Sequence, residues 1–238
     1  MVKKYFDANK ELWNSFAKIH YDLNNDSYDV EGFLKGDSTI RDFELEEMDS
    51  IKDKKLLHLQ CHFGLDTLSL AREGARVTGI DFSEDAITLA RNLAEKANLD
   101  ARFICSNLYK LKDVLDEKFD IVYTSFGVLC WLNDLQKWGE IISHFLKPEG
   151  FFYMAEGHPT ASMFDNDHET ELQLKYNYFH SAEPFEFVAD GSYAESAEKM
   201  KPKKEYEWAH SFSDIINALL EAGLTLQFVH EYPFAVWK

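Results

Sequence analysis

LLHLQCHFGLDTLSLAREGARVTGIDFS, residues 56–83, is the stretch whose reading decides the fold. An apolar run breaks at a loop whose only glycine is Gly64, and a helix-like span then continues to Arg72. Glu73, Gly74 and Ala75 end that span, and a second apolar run over 76–80 closes on an acid, Asp81. Strand, turn, helix and strand in this order make a βαβ unit, and a carboxylate at the end of the second strand stands where such units hold ribose hydroxyls. Asp81 has a structural reading as well, capping the helix that opens at Ser83. A dinucleotide turn of the form G-x-G-x-x-G lets backbone approach a pyrophosphate, and Gln60, Cys61, His62, Phe63 and Gly64 do not offer it. An adenosine ligand without phosphates suits the loop better.

Outward from this unit the alternation continues. Residues 101–105, 119–124 and 151–155 read as further strands, separated by helical stripes over 84–97 and 135–146, with a short helical turn over 108–115. Lys147, Pro148, Glu149 and Gly150 read as a stop and turn before the fifth strand. Five strands joined by helices predict an α/β fold with a doubly wound, mostly parallel Rossmann-like sheet and right-handed crossovers.

Upstream, Leu12, Phe16 and Ile19 share one face of an amphipathic helix over 5–20, and a second, shorter helix is expected over 38–48. Residues 21–36 read as a loop. This N-terminal helical cap, residues 1–50, either packs outside the core or folds across the ligand mouth, and Trp13, His20 and Tyr28 decide between the two. The core is expected over 51–156, an insertion or lid over 157–204, and a strand, helix and strand over 205–238 completing the core, the last strand at 224–229.

Composition narrows the function classes. The chain has 238 residues with 25 basic and 42 acidic side chains, a formal net charge of −17. That balance repels a polyphosphate backbone, so nucleic acid is not an expected partner. No segment approaches the length of a membrane span, so no membrane is expected and the localisation implied is cytoplasmic. Cys61, Cys105 and Cys130 suit buried thiols in a reducing compartment better than a disulfide framework. No metal is expected: a strand sends His58 and Cys61 to opposite faces, and Asp165, Asp167 and His168 read as a solvated loop. The assembly is expected to be a monomer or homodimer.

In open parallel sheets, ligands sit beyond the carboxyl ends of the strands, near the point where strand order reverses. The residues in place for a cofactor are therefore Gln60, Cys61, His62 and Gly64; Asp81, Phe82 and Ser83; Asn107 and Leu108; and Ser125 and Phe126. After strand five come Glu156 and His158, the candidates for a base, since an unperturbed imidazole titrates near neutrality. Trp131, Tyr28 and Tyr178 are candidates for a substrate pocket, with core packing as the competing reading.

These motifs resemble those of the class I S-adenosylmethionine-dependent methyltransferases. LHLQCHFG at 57–64 is similar to their LDLGCGTG motif, keeping the cysteine and the last glycine, and GIDFS at 79–83 is similar to the second. ICSNL at 104–108 resembles the element that meets the adenine, which makes Asn107 the matching residue. FDIVYTSFGVLCWL at 119–132 and LKPEGFFYMAE at 146–156 resemble the fourth- and fifth-strand motifs. A closer likeness is to bacterial small-molecule methyltransferases with HFG in the loop and an N-terminal segment carrying a tryptophan and a histidine, here Trp13 and His20, which the likeness adds to the expected cofactor-binding residues.

The resemblance implies S-adenosylmethionine as cofactor, a small-molecule acceptor, and in-line methyl transfer. An NAD(P)-dependent oxidoreductase and a non-catalytic S-adenosylmethionine-binding regulatory protein are the alternatives. The chain departs from the family pattern where His58 stands in place of a common acid, and where Gln60 and His62 replace the first two glycines. The methionine end is therefore expected to meet side chains rather than bare backbone. The family's usual seventh strand, antiparallel beside the fifth, has no candidate late in the chain unless the insertion supplies it.

Overall fold

The computed structural model describes residues 2–23, 25, 27–165, 171–194 and 199–234. Helix α1, Val2–Asp22, buries Leu12, Phe16, Ala17 and Ile19, as the stripe requires. The stretch expected as loop contains a short helix, α2, Val30–Lys35. The Asp29 carboxylate caps it by accepting from Gly32 N at 2.7 Å, and Val30 and Phe33 are buried beneath it. Six residues are too few for periodicity to announce, so the cap and the buried face form it. Helix α3, Asp42–Met48, occupies only the second half of the span expected to be helical.

The core then alternates β1, Lys55–Leu59; α4, Leu65–Arg72; β2, Arg76–Asp81; α5, Glu84–Ala97; β3, Ala101–Cys105; and, after a 3₁₀ turn at Leu108–Asp113, β4, Phe119–Thr124. Helix α6, Leu135–Phe145, leads straight into β5, Leu146–Met154. The expected stop and turn over 147–150 is therefore a bulged beginning of β5, with the register shifting between Phe119 and Ile121. Gly150 permits it: a Cβ there would lie 2.8 Å from the Asp120 carbonyl oxygen.

All five strands pair in parallel in the order β3-β2-β1-β4-β5. The order reverses between β1 and β4, which places the crevice at their carboxyl ends. One face is covered by α6, the 3₁₀ turn and a later helix, α7, Phe212–Glu221, through Trp138, Ile142 and Phe145. The other is covered by α2 to α5, through Leu68, Leu93, Leu70 and Met48.

The insertion forms an antiparallel hairpin, β6, Phe185–Gly191, and β7, Lys199–Glu207. It is a separate two-stranded sheet and does not supply a strand beside β5. Helix α7, Phe212–Glu221, follows, but the strand expected over 224–229 is not formed. Leu226, Phe228 and Val229 are exposed, because no described segment supplies the antiparallel neighbour of β5 on which such a strand would pair.

Candidate functional site

The loop after β1 keeps the backbone of a glycine-rich turn without most of its glycines. Gln60 and His62 have φ of +57° and +50°, and Gly64 has +81°. For a residue with a Cβ the left-handed region costs roughly 1–2 kcal/mol, so two such residues in one turn mark a conformation that the surroundings impose. Cys61 N donates to Ile80 O at 2.8 Å and Gly64 N to Cys61 O at 2.9 Å, which folds the chain back over β2. Gly64 is needed for space too, since a Cβ there would sit 2.8 Å from the Phe103 ring. The Cys61 side chain points below the loop: its sulfur would lie 2.8 Å from a Cβ placed on Gly79. Of the expected cofactor residues, Cys61 thus packs in the core.

Asp81 closes β2 and is 7% exposed. Its carboxylate accepts from Ser83 N at 2.8 Å and from His62 N at 3.0 Å, so it caps α5 and also holds the strained loop. Burial pushes its acid constant up to about 6, against the pull of those N–H groups and that of Phe82. Each oxygen retains a lone-pair direction beyond the bond it accepts. Ser83 Oγ caps α5 by accepting from Ala86 N at 3.1 Å, and donates to Asn14 Oδ1 at 2.6 Å.

That last bond belongs to α1, which lies across the mouth of the crevice. Lys10 pairs with Glu84, and Lys18 with Asp85 at 2.8 Å, so two lysines of α1 meet the acidic first turn of α5. On its other side Asn9 pairs with the backbone of Tyr206 in β7, accepting at 2.9 Å and donating at 2.8 Å. Helix and hairpin are therefore joined over the loop. Of the two placements open for the N-terminal cap, this is the one across the mouth.

The cap brings aromatic rings to His62. The Trp13 ring stands edge-on to it at 5.1 Å and to Trp131 at 5.2 Å, and Tyr28 lies 5.6 Å from it. His20 is fully buried, stacks on Tyr28 at 4.3 Å, and bonds through Nδ1 to His62 Nε2 at 2.9 Å. Its other nitrogen meets Ser192 Oγ of the hairpin at 2.7 Å. Tyr28 and Tyr193 share a hydroxyl–hydroxyl bond of 2.6 Å. Burial lowers His20 to about 3 and drives His62 well below its ordinary value, so both imidazoles are neutral at pH 7.

Three buried polar atoms around this cluster have no hydrogen-bond partner among the described residues: Trp13 Nε1, His62 Nδ1 and Gln60 Oε1. The amide of Gln60 is oriented, because its Nε2 donates to Val128 O at 3.0 Å across the β1/β4 switch point. Buried groups left unpaired cost about 1–3 kcal/mol each, so three together around one loop describe a surface shaped for a polar ligand.

Other expected residues fall elsewhere. Asn107 Oδ1 caps the 3₁₀ turn by accepting from Tyr109 N, and the Leu108 side chain is in the core. Ser125 turns beneath α4, donating to Asp66 at 3.0 Å beside His58, and Phe126 packs with the α3 side of the core. Phe82 is half-buried. Glu156 is not a free carboxylate: it accepts from the backbone N–H groups of Gly127, Val128, Leu129 and Gly157 and so anchors the loop after β4. His158 stacks on Phe212, bonds Thr160 Oγ1 at 2.8 Å and meets Glu231 at 3.1 Å, with no bond to the His62 cluster. Tyr178 accepts from Phe212 N at the start of α7. Neither is brought to the loop. Asp167 and His168 lie outside the described residues.

Residues that sequence reasoning missed are Asn14, Ser192 and Tyr193. Asn14 sits between Lys10 and Lys18 on α1, and the acids of α5 were its one signal. Ser192 and Tyr193 lie at the hairpin end, and no spacing announces them.

Residues 57–154 match the family described as methyltransferase domain. A ubiquinone biosynthesis O-methyltransferase of Coxiella burnetii is 28% identical over 155 residues, which is 65% of this chain and 60% of that protein. The chain thus spans about 60% of the length of such curated relatives. Among solved structures, an S-adenosylmethionine-dependent methyltransferase from Mesorhizobium loti superposes with a TM-score of 0.60 at 18% identity, covering 84% of this chain and 86% of that one. One from Clostridium acetobutylicum gives 0.54 at 18% identity, covering 76% of each. At such identity these two establish the fold.

Proposed function

We propose that the chain is an S-adenosylmethionine-dependent methyltransferase that transfers a methyl group to an oxygen of a small molecule at the crevice between β1 and β4, a reading supported by the match of residues 57–154 to the methyltransferase domain family. The observation that carries this reading is the set of three unpaired buried atoms on and beside the loop that the Asp81 carboxylate holds. Their chemistry fits the cofactor. Trp13 Nε1–H is a donor suited to a carboxylate, Gln60 Oε1 is an acceptor suited to an ammonium group, and Asp81 retains capacity for ribose hydroxyls. His62 Nδ1 completes the amino-acid end. When bound, S-adenosylmethionine supplies a methyl group already activated on a sulfonium.

The chain's own part is then binding, orientation and exclusion of water. Asp81 and the loop over 60–64 hold the nucleoside and amino-acid ends, and the neutral state of His20 and His62 avoids repelling a cationic cofactor. Trp13 and Trp131 present aromatic faces and edges beside that site, which favour a sulfonium and shield it from water. Glu156 fixes the loop carrying Trp131 through its backbone bonds, so that the acceptor meets a preformed wall. Oxygen as the receiving atom is supported by the curated relatives that are O-methyltransferases of ubiquinone biosynthesis.

The test is transfer of labelled methyl from S-adenosylmethionine to a panel of small phenols, enols and hydroxy acids, read as S-adenosylhomocysteine release. Turnover with oxygen acceptors supports the reading. Turnover confined to amines or carbon acids would overturn the oxygen assignment.

A further inference from the structure

The imidazole of His62 is one link in a chain of hydrogen bonds that starts in the insertion. Ser192 Oγ accepts from Ala194 N at 3.0 Å and bonds His20 Nε2 at 2.7 Å; His20 Nδ1 bonds His62 Nε2 at 2.9 Å; His62 Nδ1 ends the chain, buried and without a partner. Two proton arrangements connect these atoms. If His62 Nε2–H donates to His20, then His20 Nε2–H donates to Ser192, and the serine hydroxyl hydrogen has no acceptor among the bonds it makes. If Ser192 donates to His20 Nε2, then His20 Nδ1–H donates to His62 Nε2, and the one hydrogen left without an acceptor is that on His62 Nδ1, where an acceptor of the ligand can take it. The second arrangement leaves the hydrogen of His62 on Nδ1, facing the site.

We propose that Ser192 and His20 are positioning residues that set His62 as the Nδ1–H tautomer, so that it donates, together with Trp13 Nε1–H, to the carboxylate of the cofactor's amino-acid end. The geometry supports a shared target: the Trp13 and His62 rings stand edge-on at 5.1 Å with Trp13 Nε1 and His62 Nδ1 both unpaired among the described residues, and the Gln60 amide, oriented by Nε2, has its oxygen free as an acceptor. Two donors and one acceptor match a zwitterionic amino acid, with the carboxylate on the donors and the ammonium on the acceptor. The hairpin thereby reads the cofactor without touching it, through a serine on one element and a histidine on another. This inference rests on the cofactor assignment above and assigns roles to two residues that the assignment leaves out.

Titration calorimetry with S-adenosylhomocysteine and with 5′-methylthioadenosine tests it, because the second nucleoside lacks both the carboxylate and the amino group. Ser192→Ala and His20→Phe, the latter keeping the stack on Tyr28, are each expected to weaken S-adenosylhomocysteine about tenfold, the scale of one hydrogen bond to a charged group. Methylthioadenosine should stay within about twofold of the wild-type value, and Ser192→Thr should restore S-adenosylhomocysteine binding. Long-range ¹H–¹⁵N spectra of the histidine rings should show His62 protonated on Nδ1 in the wild type and a tautomer mixture in Ser192→Ala. Equal weakening of both nucleosides, unchanged binding of both, or a His62 ring protonated on Nε2 would overturn the proposal. Failure of the wild-type protein to bind either nucleoside would remove the cofactor assignment itself, which is a separate result.

Discussion

Acidification should weaken the cofactor site through Asp81. Its carboxyl is raised to about 6 by burial, while the ribose hydroxyls need it ionised as an acceptor. With that constant the group is roughly nine-tenths ionised at pH 7 and one-tenth at pH 5. Protonation competes with binding, so affinity falls as pH drops through 6; S-adenosylhomocysteine should bind about ninefold more weakly at pH 5 than at pH 7, or about 1.3 kcal/mol. The neighbouring imidazoles do not contribute in this window, because His20 is held near 3 and His62 well below its ordinary value. Calorimetry at pH 5, 6, 7 and 8 measures the slope, and methylthioadenosine should follow it, since the ribose is shared. Asp81→Asn should bind weakly and without the slope. A flat wild-type profile, or a slope that survives in Asp81→Asn, would refute the assignment of Asp81 to the ribose.

Three further outcomes follow from particular residues. Gln60→Gly removes a left-handed side chain and its amide, so stability measured by urea unfolding should stay within about 1 kcal/mol of wild type, while S-adenosylhomocysteine affinity falls about tenfold. His58 is buried with its acid constant lowered to about 3. Its folded value lies below the unfolded 6.5, so its contribution is complete above pH 6.5 and is lost as pH falls; at pH 5 that loss is about 2 kcal/mol, and His58→Gln should lose that much less between pH 7 and 5. Glu156→Ala strips the loop after β4 of its anchor, and about 3 kcal/mol of stability should go with it; turnover should fall even with saturating cofactor if the loop walls the acceptor.

The sheet was legible because its strands are short apolar runs and its helices carry a clear stripe, a pattern that one residue's conformation does not disturb. Asp81 was legible for the same reason, standing at a strand end that alternation locates. The loop before it was legible only in part. Periodicity finds Gln60 and His62, but their positive φ is imposed by Asp81, the Ile80 carbonyl and Gly64, which are contacts rather than local preferences. The roles of Glu156 and His158 were not legible, since a carboxylate after a strand looks the same whether it faces a substrate or four backbone N–H groups. The strand expected over 224–229 failed on a matter of pairing: an apolar run forms a ladder only beside a paired neighbour, and no described segment pairs with it.

The central claim is that the β1/β4 crevice takes S-adenosylmethionine rather than a dinucleotide. Calorimetric titration of the wild-type protein at pH 7.5 with S-adenosylhomocysteine and with NAD⁺ tests it most directly. One equivalent of S-adenosylhomocysteine should bind, raising stability by about 2.7 kcal/mol at one hundred times its dissociation constant, and NAD⁺ should give no heat. Binding of NAD⁺ with none of S-adenosylhomocysteine would contradict it.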